Sequence, residues 1–167
     1  MDTLDEFLIS DDLHPIDLVE TLASMNSWDF DRVTDDQIAM VIEGGWRTYA
    51  LSLVWSECDE ILKLVCTFDL DPPRESVPNL MKILDLANDR NWSGGFTLWP
   101  EEKSMVFRYG LNLCGGAVAT GAQVDSMVSD CLSSCERFYP AFQLVCWGGE
   151  TPEKAMKIVF NRTYGRA

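Results

Sequence analysis

Two neighbouring segments with alternating side chains constrain the fold of this 167-residue chain more than any other feature. In residues 47–56 and again in residues 60–69, large apolar side chains occupy every second position. This period of two places those side chains on one face of a β-strand. Since Cys58-Asp59 joins the two segments closely, they are predicted to pair as antiparallel strands with one buried face. The alternating positions are Tyr49, Leu51, Leu53 and Trp55 in the first segment and Leu62, Leu64, Cys66 and Phe68 in the second.

The residues on either side of this pair predict more strands and several helices. Short β-prone runs at residues 28–33 and 38–42 predict a hairpin before the pair, and alternation at residues 96–100 and 105–111 predicts a second hairpin after it. Apolar residues that recur at spacings of three and four predict helices. The predicted helices begin near Pro15, Val77, Val124 and Thr151.

The order of these elements indicates an α+β fold, α-ββββ-α-ββ-α-α, with an antiparallel sheet of about six strands packed by helices. Pro140 is expected to kink or restart the long third helix, because proline donates no backbone hydrogen bond. A single domain is predicted over residues 15–160. It follows an acidic leader at residues 1–14 and precedes a short tail at residues 161–167.

The charge of the chain limits its partners. Thirteen basic residues against 27 acidic ones give a net charge of −14, which repels the phosphates of nucleic acid and the anionic surface of a membrane. The chain has no apolar stretch of about 18 residues, and its start lacks the positive charge and long apolar run of a secretion signal. We therefore expect a cytoplasmic protein that binds neither nucleic acid nor membranes and keeps its six cysteines as thiols.

Several short motifs resemble those of the YbjN family of bacterial proteins, over residues 15–159. The most specific is ERFYPAF at residues 136–142, which is followed by Trp147-Gly148-Gly149 and Thr151-Pro152-Glu153. Weaker matches are Trp28-Asp29-Phe30, Trp46, Cys66-Thr67-Phe68-Asp69, residues 88–92 with Gly94 and Phe96, and Phe107-Arg108.

The resemblance implies a fold like that of type III secretion chaperones. It also implies a regulatory task, since the family is described as regulators of sensory transduction and has no established reaction. A shared fold does not transfer the secretion-chaperone task itself. The resemblance therefore favours binding to a protein partner over catalysis, and it makes a homodimer the expected assembly.

The residues do not form a recognisable catalytic set, so the chain is predicted not to be an enzyme. The one histidine, His14, stands just before a helix without a cysteine or carboxylate at ligand spacing, and we expect its side chain to be solvated. Gly115-Gly116 lacks the lysine and hydroxyl of a nucleotide-binding loop and is interpreted as a turn. The acidic pairs Asp11-Asp12, Asp35-Asp36 and Glu101-Glu102 are interpreted as solvated turn residues.

Two cysteines, Cys131 and Cys135, lie one helical turn apart and have the spacing of ligands for a soft metal ion. They need two more ligands, and they occupy the apolar stripe of the long helix. Core packing is therefore the favoured interpretation. No metal ligand, cofactor-binding residue or cofactor is predicted.

The first functional hypothesis is a binding module. An apolar strip around Trp99, Phe107 and Arg108 would contact a protein partner or a second copy of the chain, with Arg108 paired to a carboxylate of the partner. Trp147 joins these residues as a candidate contact, although Trp99 and Trp147 also fit a place in the core.

The alternative hypothesis is a sensor of a small ligand, or an enzyme of unrecognised type, that uses a cavity between the long helix and the sheet. Tyr49, Tyr109 or Arg137 would then supply polar contacts to the ligand. A purely structural role is a third interpretation.

Overall fold

The computed structural model describes residues 14–164 and the side chains up to residue 161. Within this part of the chain there are six strands and four α-helices. The strands are β1 (Asp29–Thr34), β2 (Gln37–Glu43), β3 (Thr48–Ser56), β4 (Ile61–Asp69), β5 (Gly94–Trp99) and β6 (Ser104–Asn112). The helices are α1 (Pro15–Met25), α2 (Val77–Asp89), α3 (Gly121–Cys146) and α4 (Pro152–Tyr164), with a 3-10 turn at Arg74–Ser76 before α2.

The strands form one antiparallel sheet in the order β1-β2-β3-β4-β6-β5. The two alternating segments are β3 and β4, which pair with Leu53 opposite Leu64. The second hairpin joins β4 through its later strand, β6, so that β5 forms an edge of the sheet. The predicted α+β class and the predicted order of elements are confirmed.

The helices cover one face of the sheet, because only one set of alternate side chains in each strand is large and apolar. In β3 and β4 the buried positions alternate with half-buried or exposed ones. α1 packs on the first three strands, and α3 packs on β6 and on the other three helices. The other face of the sheet carries no helix of the described residues, and we call it the open face.

The longest helix, α3, crosses Pro140 without restarting and is one helix of 26 residues. It begins at a capping box, in which the Thr120 side chain accepts from the Gln123 N–H and the Gln123 side chain accepts from the Thr120 N–H. Of the two expected effects of Pro140, the restart is therefore wrong, and the kink stays a prediction. Twelve residues of α3 are buried, enough to hold it against the sheet on both sides of the proline.

The two ends of the predicted domain lie at the limits of the described residues. The acidic leader at residues 1–14 lies outside them except for His14, and so do residues 165–167 of the tail. His14 is the N-cap of α1: its Nδ1 accepts from the Ile16 N–H at 3.1 Å, and its Nε2 lies 2.9 Å from Asp36. Its side chain is thus engaged on both ring nitrogens, instead of only solvated as expected. None of the described helices has the length and apolar character needed to cross a bilayer.

The side chain of Asn88 at the end of α2 holds the edge strand β5. Its Oδ1 accepts from the Phe96 N–H at 2.6 Å, and its Nδ2 donates to the Phe96 carbonyl at 3.0 Å. These two backbone groups face away from β6 and would otherwise be left open at the sheet edge. The asparagine therefore performs the pairing that a seventh strand would perform, and it fixes α2 to the sheet.

Replacement of Asn88 by alanine is expected to lower the free energy of unfolding by about 1–3 kcal/mol, because two hydrogen bonds to the backbone are lost. Urea unfolding followed by circular dichroism measures this change. Asn161→Ala, at an exposed position of α4, is the matched control and should change stability by less than about 0.5 kcal/mol. Equal effects of the two substitutions would rule out the role assigned to Asn88.

Candidate functional site

The open face of the sheet has a centre of small and β-branched side chains. Ala39 and Val41 of β2, Ala50 and Ser52 of β3, and Val65 of β4 line a shallow depression of about 540 Å³. Neighbouring positions on this face are Gln37, Val54, Lys63, Thr67, Asp69, Thr97, Trp99, Arg108 and Val106, of which Val106 is buried. Small side chains leave the surface of a sheet without protrusions, and such an apolar face can pack closely against another sheet.

The charges of the open face are separated along the sheet. Asp29 and Asp31 lie on β1, and Glu43 ends the neighbouring strand β2. Lys63 and Arg108 lie on β4 and β6, toward the opposite edge. Lys63 is bound to Asp59 at 2.6 Å, whereas no carboxylate of the described residues lies within ion-pair distance of Arg108. The face is therefore acidic along β1 and β2 and carries Arg108 on β6, whereas the interior strand β4 has side chains of both signs, Lys63 and Asp69.

The structure separates the residues of the predicted binding strip. Trp99 is 38% exposed and lies on the open face, as does Arg108, which is exposed. Phe107 is 1% exposed and faces the helices, with its ring centre 5.1 Å from that of Phe96. Phe107 is therefore not available to a partner, and the prediction that it belongs to the binding strip is wrong. Neighbouring residues of a strand point to opposite faces, so Phe107 and Arg108 do not share a surface.

Trp147 lies apart from the open face. It caps the C-terminal end of α3 and is 54% exposed. The preceding carbonyl, that of Cys146, accepts from the Ser76 hydroxyl at the start of α2. Trp147 is thus on the helical side of the molecule, outside the core, and any partner that contacts it approaches from that side.

A second concave site, which we call the corner pocket, lies between α3 and the connection from α2 to β5. Its volume is about 270 Å³. Aromatic side chains of Trp92, Phe107 and Phe138 line it. The polar side chains that line it are those of Arg90, Asn91, Ser93, Asp130, Ser133, Ser134 and Arg137. Of the three residues predicted to line a ligand cavity, Arg137 lines this pocket, whereas Tyr49 and Tyr109 do not.

Two guanidinium groups of the corner pocket lie over one aromatic ring. The centre of the Phe160 ring is 4.2 Å from the Arg90 guanidinium and 5.9 Å from that of Arg137. Cation–π attraction holds both groups in place. Neither arginine is ion-paired with a carboxylate within the described part of the chain, although Asp130 lines the pocket. In an acidic protein, this is a local concentration of positive charge.

The amide of Asn91 is incompletely bonded at the wall of the same pocket. Its Oδ1 accepts from the Ser134 hydroxyl at 3.3 Å, and its buried Nδ2 has no acceptor among the described residues. Turning the amide over would leave the other end unbonded instead. Trp92 beside it is fully exposed, which is unusual for so large an apolar side chain.

Glu136 fixes α3 to β3. Its Oε1 accepts from the Tyr49 hydroxyl at 2.6 Å and from the Trp46 N–H at 3.3 Å. Two neighbours in the ERFYPAF motif, Phe138 and Phe142, pack against the ring of Phe96. The motif therefore unites the polar contact that positions α3 with the aromatic residues that bury it. Burial, and next the hydrogen bond to Glu136, raise the pKa of Tyr49 above its ordinary value of 10.0.

Alkaline pH is expected to destabilise the wild-type protein more steeply than the variant Tyr49→Phe. Because the folded state holds the proton of Tyr49 above pH 10, where the unfolded chain releases it, the stabilising contribution is complete below pH 10 and is lost as pH rises further. Above pH 10, the free energy of unfolding of the wild type should fall with pH more steeply than that of Tyr49→Phe, by at most about 1.4 kcal/mol per pH unit. Urea unfolding of both proteins between neutral pH and about pH 11 measures it.

At neutral pH, Tyr49→Phe is expected to lower the free energy of unfolding by about 1.5–3 kcal/mol, because the lost hydrogen bond has a charged acceptor. Tyr109→Phe is the control, because it removes a tyrosine hydroxyl that does not donate to Glu136. Parallel stability curves for wild type and Tyr49→Phe above pH 10 would contradict the assignment.

Three thiols meet beneath the sheet. Cys66 of β4 faces Cys131 and Cys135 of α3, and the three Sγ atoms all lie within 4.8 Å of one another. All three residues have 0% exposure, so the predicted core position of Cys131 and Cys135 is confirmed. Alternation in the sequence places Cys66 on the buried face of its strand, but it does not predict the contact with the helical pair, because that contact depends on how α3 crosses the sheet.

Comparison with known proteins gives one family and one fold. Residues 15–144 match the YbjN family, described as "Putative bacterial sensory transduction regulator". A solved structure with a similar fold is titled "Crystal structure of YbjN, a putative transcription regulator from E. coli", with a TM-score of 0.52 and 10% sequence identity, covering 72% of this chain and 85% of that one. No curated protein matches the chain.

Proposed function

Since the chain belongs to the YbjN family, whose members are described as regulators of sensory transduction, we propose that it is a non-catalytic regulatory module that acts by binding protein through the open face. The first partner that we propose is a second copy of the chain. The observation that carries the proposal is the uncovered face itself, with its centre of small apolar side chains between Ala39 and Val65.

The dimensions of the open face suit a protein interface. Six strands about 4.8 Å apart, of which three have nine residues, give a face of roughly 24 by 30 Å. The area of this face is roughly 700 Å². Each partner in a standard protein interface contributes a similar area, about 800 Å². Two such faces pack about 10 Å apart when their side chains are small enough to interdigitate.

The distribution of charge favours a second copy as the occupant. In a two-fold dimer, each surface patch meets the same patch of the partner in reversed orientation. When the two-fold axis runs along the strands, the acidic side of one face, with Asp29 and Asp31, lies opposite the side of the other that carries Arg108. Each copy thereby supplies the carboxylates that Arg108 lacks within its own described residues.

The substitution Ala50→Arg is expected to convert the dimer to a monomer, because it places a long charged side chain at the centre of the packed faces. Light scattering across a concentration series should show a dissociation constant at least about tenfold higher. Ala122→Arg makes the same change at an exposed position of α3 and should leave the dimer intact. A wild-type protein that stays monomeric at every concentration would refute the homodimer. Native pull-down would then test the same face for another protein.

A second candidate function, recognition of a small anion, is supported by the corner pocket. Arg90 and Arg137 supply positive charge without an ion-paired carboxylate among the described residues, and Asn91 offers an amide end that lacks a partner. Guanidinium groups donate charge-assisted hydrogen bonds to phosphate and carboxylate groups. The exposed ring of Trp92 provides a flat surface for an aromatic part of such a ligand.

Thermal shift with a panel of phosphorylated and carboxylated metabolites tests this candidate. At least one anion should stabilise the wild-type protein, and Arg137→Gln should lower its affinity about tenfold or more, because a charge-assisted hydrogen bond is lost. Arg74→Gln removes an exposed arginine outside the pocket and should not change binding. If Arg74→Gln and Arg137→Gln lowered the affinity for the anion equally, binding would depend on the net charge of the protein and not on the corner pocket.

A further inference from the structure

The three thiols Cys66, Cys131 and Cys135 converge because two independent patterns bring them to one point. Alternation in β4 directs Cys66 toward the helices, between Leu64 and Phe68. A spacing of four residues puts Cys131 and Cys135 on the same face of α3. The three Sγ atoms lie within 4.8 Å of one another, and all three cysteines are free thiols. We call this group the thiol triad.

The surroundings of the thiol triad limit the number of ligands to three. The carboxylate of Glu136 follows Cys135 in α3, but it is not among the ligand atoms of the described residues that converge within 4.8 Å, and its Oε1 accepts from the Tyr49 hydroxyl and the Trp46 N–H. No charged residue of the described part of the chain is buried, so the interior supplies no other strong ligand. Structural zinc sites almost always have four ligands, and this site therefore fits a three-coordinate ion better than zinc.

The charge of the complex selects among three-coordinate ions. An ion binds thiolates, so three cysteines contribute a charge of −3. A monovalent or divalent ion would leave a net charge of −2 or −1 in an apolar interior, which is costly. A trivalent ion leaves none. From this geometry we propose that the thiol triad is a binding site for a trivalent, thiophilic ion of the arsenic(III) type.

The binding reaction conserves charge as well as atoms. Arsenous acid carries three hydroxyl groups on arsenic; each As–O bond breaks, and an As–S bond forms in its place. The proton of each thiol leaves with the departing hydroxide as water, giving three waters. No electron is transferred, and arsenic remains in its trivalent state. Neutral reactants thus give a neutral product, which suits a site without a buried counter-charge.

Access to the site requires a local opening of α3 from β4, since each of the three residues has 0% exposure. Uptake should accordingly be slow, and it should become faster in mild denaturant, which increases the population of opened states. The exposed cysteines, Cys58 and Cys114, provide an internal contrast, because they react without any opening.

The experiment uses the full, reduced chain with sodium arsenite. Native mass spectrometry should show one arsenic per chain with the loss of three protons, and X-ray absorption should show three As–S bonds and no As–O bond. Cys66→Ala, Cys131→Ala and Cys135→Ala should each lower the affinity at least about 100-fold. Cys146→Ala removes a buried thiol outside the triad, and the double variant Cys58→Ser/Cys114→Ser removes the exposed thiols; both should bind as the wild type does.

Several results would overturn the proposal. They are a folded, reduced wild type that binds no arsenic, an As–O bond that persists in the complex, and a loss of affinity in Cys146→Ala as large as that in Cys131→Ala. Cadmium bound as tightly as arsenic would refute the argument from charge. Because the stoichiometry and the As–S count are measured on the wild type, the test stands even if an alanine variant does not fold.

Discussion

The structure depends on the burial of one face of the sheet beneath α3. Fully buried side chains such as Leu64, Phe107 and Phe142 each contribute about 1.5–3 kcal/mol, and they come from both layers. This attraction has no direction, so it does not by itself decide where the helix lies. The hydrogen bond from Tyr49 to Glu136 decides where the helix lies, because it can form at only one position of α3 along β3.

The same alternation that builds the core leaves a second face without a cover. A strand places half of its side chains on each side, and here the centre of the second half is small or β-branched, with charged side chains on β1, β2, β4 and β6. The edge strand β5 is protected by the side chain of Asn88, which bonds both backbone groups of Phe96. Pairing of another strand with β5 is therefore hindered at Phe96, while β1 forms the other edge of the sheet.

Much of this fold could be predicted from local patterns, and the errors have physical causes. Alternation predicted β3 and β4, and applied to Phe107 and Arg108 it would also have put them on opposite faces. Pro140 did not end its helix, because buried residues such as Phe138 and Phe142 hold the chain on both sides of it. The corner pocket and the thiol triad depend on the crossing of α3 over the sheet, and no local spacing encodes that crossing.

The open face and the thiol triad share one strand. In β4, Val65 faces the open side and the adjacent residue, Cys66, faces α3, so the proposed interface and the proposed ion site are directly linked by the backbone. β4 is paired with β3 on one side and with β6 on the other, and it does not shift alone. An ion that ties Cys66 to α3 therefore acts on the open face only if the helix moves relative to the whole sheet. The hydrogen bond between Tyr49 and Glu136 resists that movement, because it holds α3 to the neighbouring strand β3.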